Sequence, residues 1–149
     1  MPLEAASRVI SGKLSADDPY RPVVSRRKLM QIEAIEHVQL AMPKGQEDDA
    51  RLFYRDSLGL SEVPKPPELA KRGGAWFELG TVRVHLGVEQ DFRPARKAHP
   101  AFLVSGIDDL ASRLNEAGYE VTIDNDLPGF RRFYTSDPFG NRLEFMQAE

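Results

Sequence analysis

Three histidines and one glutamate carry the chemistry that this 149-residue sequence offers most plainly. His37, His85 and His99 are the only histidines, each lies in a short run of alternating apolar and polar residues, and Glu144 stands in the same kind of run. In a strand, alternation sends successive side chains to opposite faces, so all four project from polar faces. Three imidazoles and a carboxylate suit a borderline divalent ion such as zinc, nickel, cobalt, manganese or iron(II), and are too nitrogen-rich for calcium or magnesium. A single histidine on a polar strand face is ordinarily a solvated or hydrogen-bonded side chain, and His85 alone carries no more weight than that. The four together predict a metal site if the strands that carry them meet.

The composition narrows the classes. With 41% apolar residues the chain supports one ordinary domain or two very small modules sharing a core. The net charge of −3, with both signs mixed along the chain, gives no nucleic-acid or membrane footprint, which favours a small-molecule function. The absence of cysteine excludes disulfides, thiolate ligands and a cysteine nucleophile. No apolar run approaches the roughly 20 residues that span a bilayer, and the N-terminus lacks the pattern of a signal peptide, so a cytoplasmic location is expected.

Residues 1–30 read as an extension with no sustained period, carrying Arg8, Lys13, Arg21, Arg26, Arg27 and Lys28 against Glu4, Asp17 and Asp18. It is an arm, a segment that docks on a partner subunit, or the result of an early start site, since Met30 precedes the first organised strand. The rest, 31–149, is predicted as a single domain.

The elements that must position the four donors follow from hydrophobic period. Ala34 to Met42 alternates, with Val38, Leu40 and Met42 on one face and His37, Gln39 and Ala41 on the other. Asp48 to Leu58 has acidic residues at its start and Leu52, Phe53 and Leu58 at helical spacing, with Gly59 as its stop. A proline-rich loop, Pro64 to Pro67, precedes strands at Ala75 to Leu79 and Val82 to Val88, joined by a Gly80-Thr81 hairpin turn. A second half then repeats the order: strand His99 to Val104, helix Ile107 to Ala117 closed by Gly118, strand Tyr119 to Asp124, and a hairpin of Phe130 to Thr135 with Arg142 to Met146 turned by Asp137-Pro138-Phe139-Gly140-Asn141. Two modules of about 31–90 and 97–149 result, each read as strand, helix and three strands.

Under that repeat the donors are equivalent in pairs. His37 and His99 lie near the start of each module's first strand, and His85 and Glu144 lie in the middle of each last strand. Packed about a pseudo-twofold axis, the polar faces would converge and the four side chains would surround one ion.

Further candidates line the same faces. Gln39 shares a face with His37, and Trp76 and Tyr134 could wall a cleft with flat rings. Arg131 and Arg132 could clamp an anionic substrate through paired guanidinium donors, with one of the pair favoured, or simply charge an exposed hairpin edge.

The opening strand IEHVQLAM at Ile35 to Met42, the helix end FYRDSLGL at Phe53 to Leu60 and the ending FYTSDPFGNRLEFMQ at Phe133 to Gln147 resemble the vicinal oxygen chelate superfamily. That group contains glyoxalase I, methylmalonyl-CoA epimerase, extradiol dioxygenases, and fosfomycin and bleomycin resistance proteins. The resemblance covers about Ile35 to Gln147 and implies an α+β chain of two tandem βαβββ modules forming a half-barrel around a metal, the glyoxalase-like fold. It implies metal ligands at His37, His85, His99 and Glu144. The dioxygenase and fosfomycin branches use two histidines and a glutamate, here His37, His99 and Glu144, whereas glyoxalase I and the epimerase usually hold a carboxylate or amide where His85 stands.

The implied function is Lewis-acid chemistry on vicinal oxygens of a small oxygenated metabolite, as a lyase or isomerase, a dioxygenase or an epoxide-opening transferase. One zinc, iron, nickel or manganese ion per site would serve it, with Glu144 as general base and substrate contacts from Gln39, Trp76, Arg132 and Tyr134. The resemblance also implies a homodimer, with a site's modules in one chain or exchanged between chains. Two other classes stand beside this reading: a metal-free drug- or metabolite-binding protein of the bleomycin-resistance type, and an interaction module whose basic N-terminal arm recruits a partner.

Overall fold

A computed structural model describes residues 30–149, so all but the last residue of the N-terminal extension lies outside the described residues. Within the compact unit Ala34–Glu149 the chain forms two four-stranded mixed sheets. The first module is β1 (Val38–Met42), helix α1 (47–57), β2 (Ser61–Val63), a short helix α2 (Pro67–Ala70), β3 (Ala75–Leu79) and β4 (Val82–Val88). The second is β5 (Ala101–Leu103), α3 (Ile107–Glu116), β6 (Thr122–Asp124), β7 (Phe130–Ser136) and β8 (Arg142–Ala148). The sheet orders, β1-β4-β3-β2 and β5-β8-β7-β6, are the same order twice, with the first strand parallel to the last in each. These are the tandem βαβββ modules expected from the sequence.

Alternation decides the inner faces. Leu40, Met42, Ala75, Phe77, Val84 and Leu86 from one sheet and Phe133, Leu143 and Phe145 from the other are buried in one core with Phe53 and Tyr54 of α1 and Ile107 and Leu114 of α3. Polar alternates are left on the opposite faces. The period-3.6 pattern of α3 and the Gly80-Thr81 hairpin fall where expected.

Five elements differ from expectation. The first strand begins at Val38 rather than Ala34, leaving His37 just outside the ladder, and β5 begins at Ala101, leaving His99 two residues outside it behind Pro100. Proline has no N–H to give a ladder, and here only the Pro100 carbonyl contributes, accepting from Glu144 N at 3.1 Å. Helix α1 starts as α over Glu47–Ala50 and continues as π over Arg51–Ser57, with Leu58 N reaching the Phe53 carbonyl at 2.9 Å. That wider turn lets the adjacent Phe53 and Tyr54 both lie in the core. The stretch read as a proline-rich loop contains the start of α2, with Pro67 at its first position, where a missing N–H costs nothing. β2, only three residues long, had no visible alternation.

The modules are joined by specific contacts. Phe53 packs edge-on against Tyr119 with centroids 4.7 Å apart, and Tyr54 Oη donates to Asp137 Oδ2 at 2.8 Å. The outer strands β1 and β5 line a common cleft of about 550 Å³ with Arg93, Ala95, His99 and Asn141. Among the described residues no helix is long and apolar enough to cross a membrane.

Candidate metal and substrate site

Strand register places the chemistry. On the first sheet Gln39, His85 and Trp76 are lateral neighbours across β1, β4 and β3, and on the second Ala101, Glu144 and Tyr134 are neighbours across β5, β8 and β7. His85 and Glu144 therefore occupy the same position of the repeat, and His37 and His99 each stand two residues before the first member of their row. The pairwise equivalence read from the sequence is present in the register.

In the first module three rings form a column. Trp76 stacks on His85 with centroids 4.1 Å apart and planes 6° apart, and His85 stacks on His37 at 4.2 Å and 19°. The column leaves His85 only 7% exposed, and burial, with His37 beside it, pushes its imidazole below the ordinary pKa. His37 Nδ1 lies 2.5 Å from Glu36 Oε2, and the other Glu36 oxygen takes the Arg83 guanidinium. The His37 hydrogen bond, with Arg83 beside it, holds Glu36 below the usual carboxylate range.

In the second module His99 Nε2 is 2.9 Å from Glu144 Oε2, and His99 Nδ1 is 2.8 Å from the Lys97 carbonyl. A carbonyl only accepts, so Nδ1 carries the hydrogen and Nε2 presents its lone pair in the neutral ring. That lone pair then faces a carboxylate oxygen. Two acceptors at that separation require a proton or a cation between them.

The remaining candidates fall around these pairs. Glu144 Oε1 accepts from Arg132 Nη1 at 3.0 Å, while Arg132 Nη2 reaches Asp124 Oδ1 at 2.9 Å. Arg132, read as a substrate clamp, is thus held by two carboxylates of its own sheet, and Arg131 is turned away onto Asp108. Tyr134 sets its ring edge-on to His99 at 5.5 Å and lies under the Arg142 guanidinium at 3.9 Å. It also lines an open cleft of about 530 Å³ with Arg96, Thr122, Ser136 and Arg142.

The fit to an ion rests on the donor set. His37 and His99 are each anchored through Nδ1, by a carboxylate and a carbonyl, which is how ligating histidines are oriented toward a metal through Nε2. The four donors are gathered as two pairs, one on each sheet. Among the described residues no three His, Asp or Glu side chains come close enough together to hold an ion. The stacked His37 and His85 rings hold their in-plane lone pairs in nearly parallel planes, with centroids 4.2 Å apart, so their convergence on one ion requires a tilt of a ring.

Sequence reasoning missed Glu36, Asp124 and the Lys97 carbonyl. Glu36 is signalled by its adjacency to His37, whereas Asp124 and Lys97 carry no sequence signal, because their roles depend on strand pairing and backbone direction.

The family described as Glyoxalase/Bleomycin resistance protein/Dioxygenase superfamily matches residues 34–145. A solved glyoxalase family protein from Bacillus anthracis is 52% identical, with 80% of this chain and 98% of that one covered at a TM-score of 0.78. Two more distant structures share the fold: a lactoylglutathione lyase from Agrobacterium tumefaciens (22% identity, 79% and 96% covered, TM-score 0.63) and a genomically encoded fosfomycin resistance protein from Listeria monocytogenes (15% identity, 80% and 96% covered, TM-score 0.63). Among curated proteins nothing matches the sequence.

Proposed function

The chain belongs to the glyoxalase/bleomycin resistance protein/dioxygenase superfamily, and from that premise we propose that it is a metal-dependent enzyme acting on a small oxygenated metabolite. The observation that carries this reading is the His99–Glu144 contact at 2.9 Å, with His99 fixed through Nδ1 so that a lone pair and a carboxylate oxygen face each other. His99 and Glu144 would hold the ion from the second module, and His37 and His85 from the first. When bound, the ion supplies Lewis-acid polarisation of two vicinal oxygens, the chemistry of a lyase or isomerase, a dioxygenase or an epoxide-opening transferase.

The chain's own residues do the rest. Arg132 ties Glu144 Oε1 and fixes the carboxylate's orientation, so Oε2, the atom facing His99, is the one that would hold the ion and, once released from it, accept a proton from substrate. Tyr134, steadied by Arg142, walls the cleft beside it, and Trp76 does the same beside His85. Gln39 offers an amide from the row of His85. A homodimer belongs to this reading: each chain carries two half-sites, and the first module of one copy paired with the second of another would complete the set.

Metal content of protein purified without a histidine tag or chelator tests it. Plasma mass spectrometry should find about one divalent ion per chain, lost in His99→Ala and in Glu144→Ala. In the exchanged arrangement, mixing a His37→Ala/His85→Ala chain with a His99→Ala/Glu144→Ala chain should restore part of the bound metal.

One observation favours a second reading, a metal-free binding protein: Arg132 already neutralises Glu144. Wild-type protein that takes up no divalent ion on reconstitution yet binds a metabolite without turnover would establish that reading and end the first.

A further inference from the structure

The two modules match strand for strand, and the connection in which they differ most in length is the one between their second and third strands. Between β6 and β7 the chain spends residues 125–129, a short turn, but between β2 and β3 it spends 64–74, more than twice as long, including α2. This insertion borders a cavity of about 290 Å³ lined by Lys65, Leu69 and Arg72 from the insertion and by Gln39, Trp76 and Gly87 from the sheet. The cavity thus lies on the same sheet face as His85, against the ring that stacks on His85.

The pocket brings together two of the module's cations that lack a carboxylate partner among the described residues, Lys44 outside it being a third. Arg51, Arg55, Lys71 and Arg83 all hold carboxylates. Lys65 and Arg72 have no ion-pair partner among the described residues, although Lys65 Nζ donates to the Gly73 carbonyl and sits 6.0 Å from the Trp76 centroid. Burial and the neighbouring Arg72 both press the Lys65 ammonium below its ordinary pKa, against the pull of Glu47. Glu47, whose Oε1 accepts from Gly74 N at 2.9 Å, forms no ion pair with either cation and offsets at most one of the two charges, so the pocket keeps a net positive charge. A neutral group completes the wall: the Gln39 side chain lies over Gly87 so closely that a Cβ there would meet its Nε2 at 2.7 Å.

We propose that this pocket binds the oxyanion, carboxylate or phosphate, of a small planar metabolite, with Lys65 and Arg72 on the charge, Gln39 donating from its amide and Trp76 against the ligand's apolar body. The inference rests on the enzyme reading only in taking this anion as one end of that substrate; the insertion then sets substrate class, while the row of His85 faces the reacting end. Charge-assisted donors around an aromatic wall select an anion over its uncharged analogue, because the neutral group gains no charge-assisted bond and leaves two cations unmatched.

Trp76 is the sole tryptophan of the chain, so intrinsic emission reports this pocket directly. Full-length protein kept metal-free with a chelator would be titrated with benzoate, phenyl phosphate and, as the neutral control, benzamide. At least one anion should shift or quench emission saturably, with benzamide about tenfold weaker or worse. Arg72→Met, at an exposed position, should weaken the anion by about tenfold while leaving benzamide binding and the melting temperature unchanged, and Lys65→Met, at a half-buried one, should weaken the anion by about tenfold while leaving benzamide binding unchanged. The better of the two anions identifies the oxyanion. Equal binding of anion and benzamide, no response in the wild type, or full anion binding in both variants would overturn the proposal. Glu144→Ala, which removes the metal site, should keep anion binding, so loss of the metal reading and loss of this one are separable.

Discussion

Asn141 Nδ2 donates to the Ala41 carbonyl at 2.8 Å, linking the closing turn of the second module to the first strand of the first. The same side chain donates to Asp137 Oδ2 at 2.9 Å and accepts from Ala95 N at 3.0 Å, at 1% exposure. Truncation would strand a half-buried carbonyl and a half-buried N–H together. Asn141→Ala should cost about 2–4 kcal/mol in urea denaturation, with the loss shared by both modules.

Asp137 gives the pH dependence. Burial pushes its carboxyl above the ordinary 3.8, although Tyr54 Oη, Asn141 Nδ2 and the N–H groups of Phe139 and Asn141 all donate to it. A raised acid binds its proton more tightly in the folded state, so this group's contribution to stability falls as pH rises from 3.8 through the folded value. Asp137→Asn removes that contribution and sets two N–H donors, its own and that of Asn141, against each other. The variant should be less stable by about 1–3 kcal/mol, and its deficit against the wild type should widen as pH is lowered through that window. Denaturation midpoints across the acidic range decide it, and a deficit that narrows on acidification would contradict the sign.

Two glycines with positive φ separate strain from collision. At Gly74, φ is +79° and an added Cβ would stand 2.0 Å from the Leu86 carbonyl oxygen, whereas at Gly80, φ is +58° and nothing lies within 4 Å. Gly80→Ala should cost about 1 kcal/mol from backbone conformation alone. Gly74→Ala should cost more than about 3 kcal/mol and, because β3 starts beside it, should disturb the Trp76 emission as well.

Arg132 holds Glu144 and Asp124 together. Arg132→Met leaves a 5%-exposed carboxylate with His99 as its remaining partner, which should cost about 1–3 kcal/mol of stability. If Glu144 holds an ion as proposed, removing the guanidinium beside it also removes a repulsion on that ion. Isothermal titration with zinc or nickel should therefore show tighter binding in this variant, the lost repulsion outweighing the lost orientation, and weaker binding would reverse that order.

Most of the architecture was legible in the sequence, because hydrophobic period records which face is buried. The alternation of Val82 to Val88, the helix at Ile107 to Glu116 and the Asp137 to Asn141 turn each follow from local side-chain preference. So does the equivalence of His37 with His99 and of His85 with Glu144, which strand pairing reproduces. β2 was not legible, since Ser61-Glu62-Val63 holds one apolar residue and runs straight into a proline-rich stretch, nor was the π turn of α1, where two adjacent aromatic side chains both lie in the core.

What only the tertiary structure decided is who stands next to whom. Residue type marked Arg132 as an anion-binding group, but β6, β7 and β8 lie side by side and put two carboxylates within its reach, so the fold supplies the anions itself. Likewise residue type named four donors, and the fold divides them between two sheets. A sequence fixes what a side chain can bind through its chemistry, whereas its partner is set by long-range pairing, which local pattern does not encode.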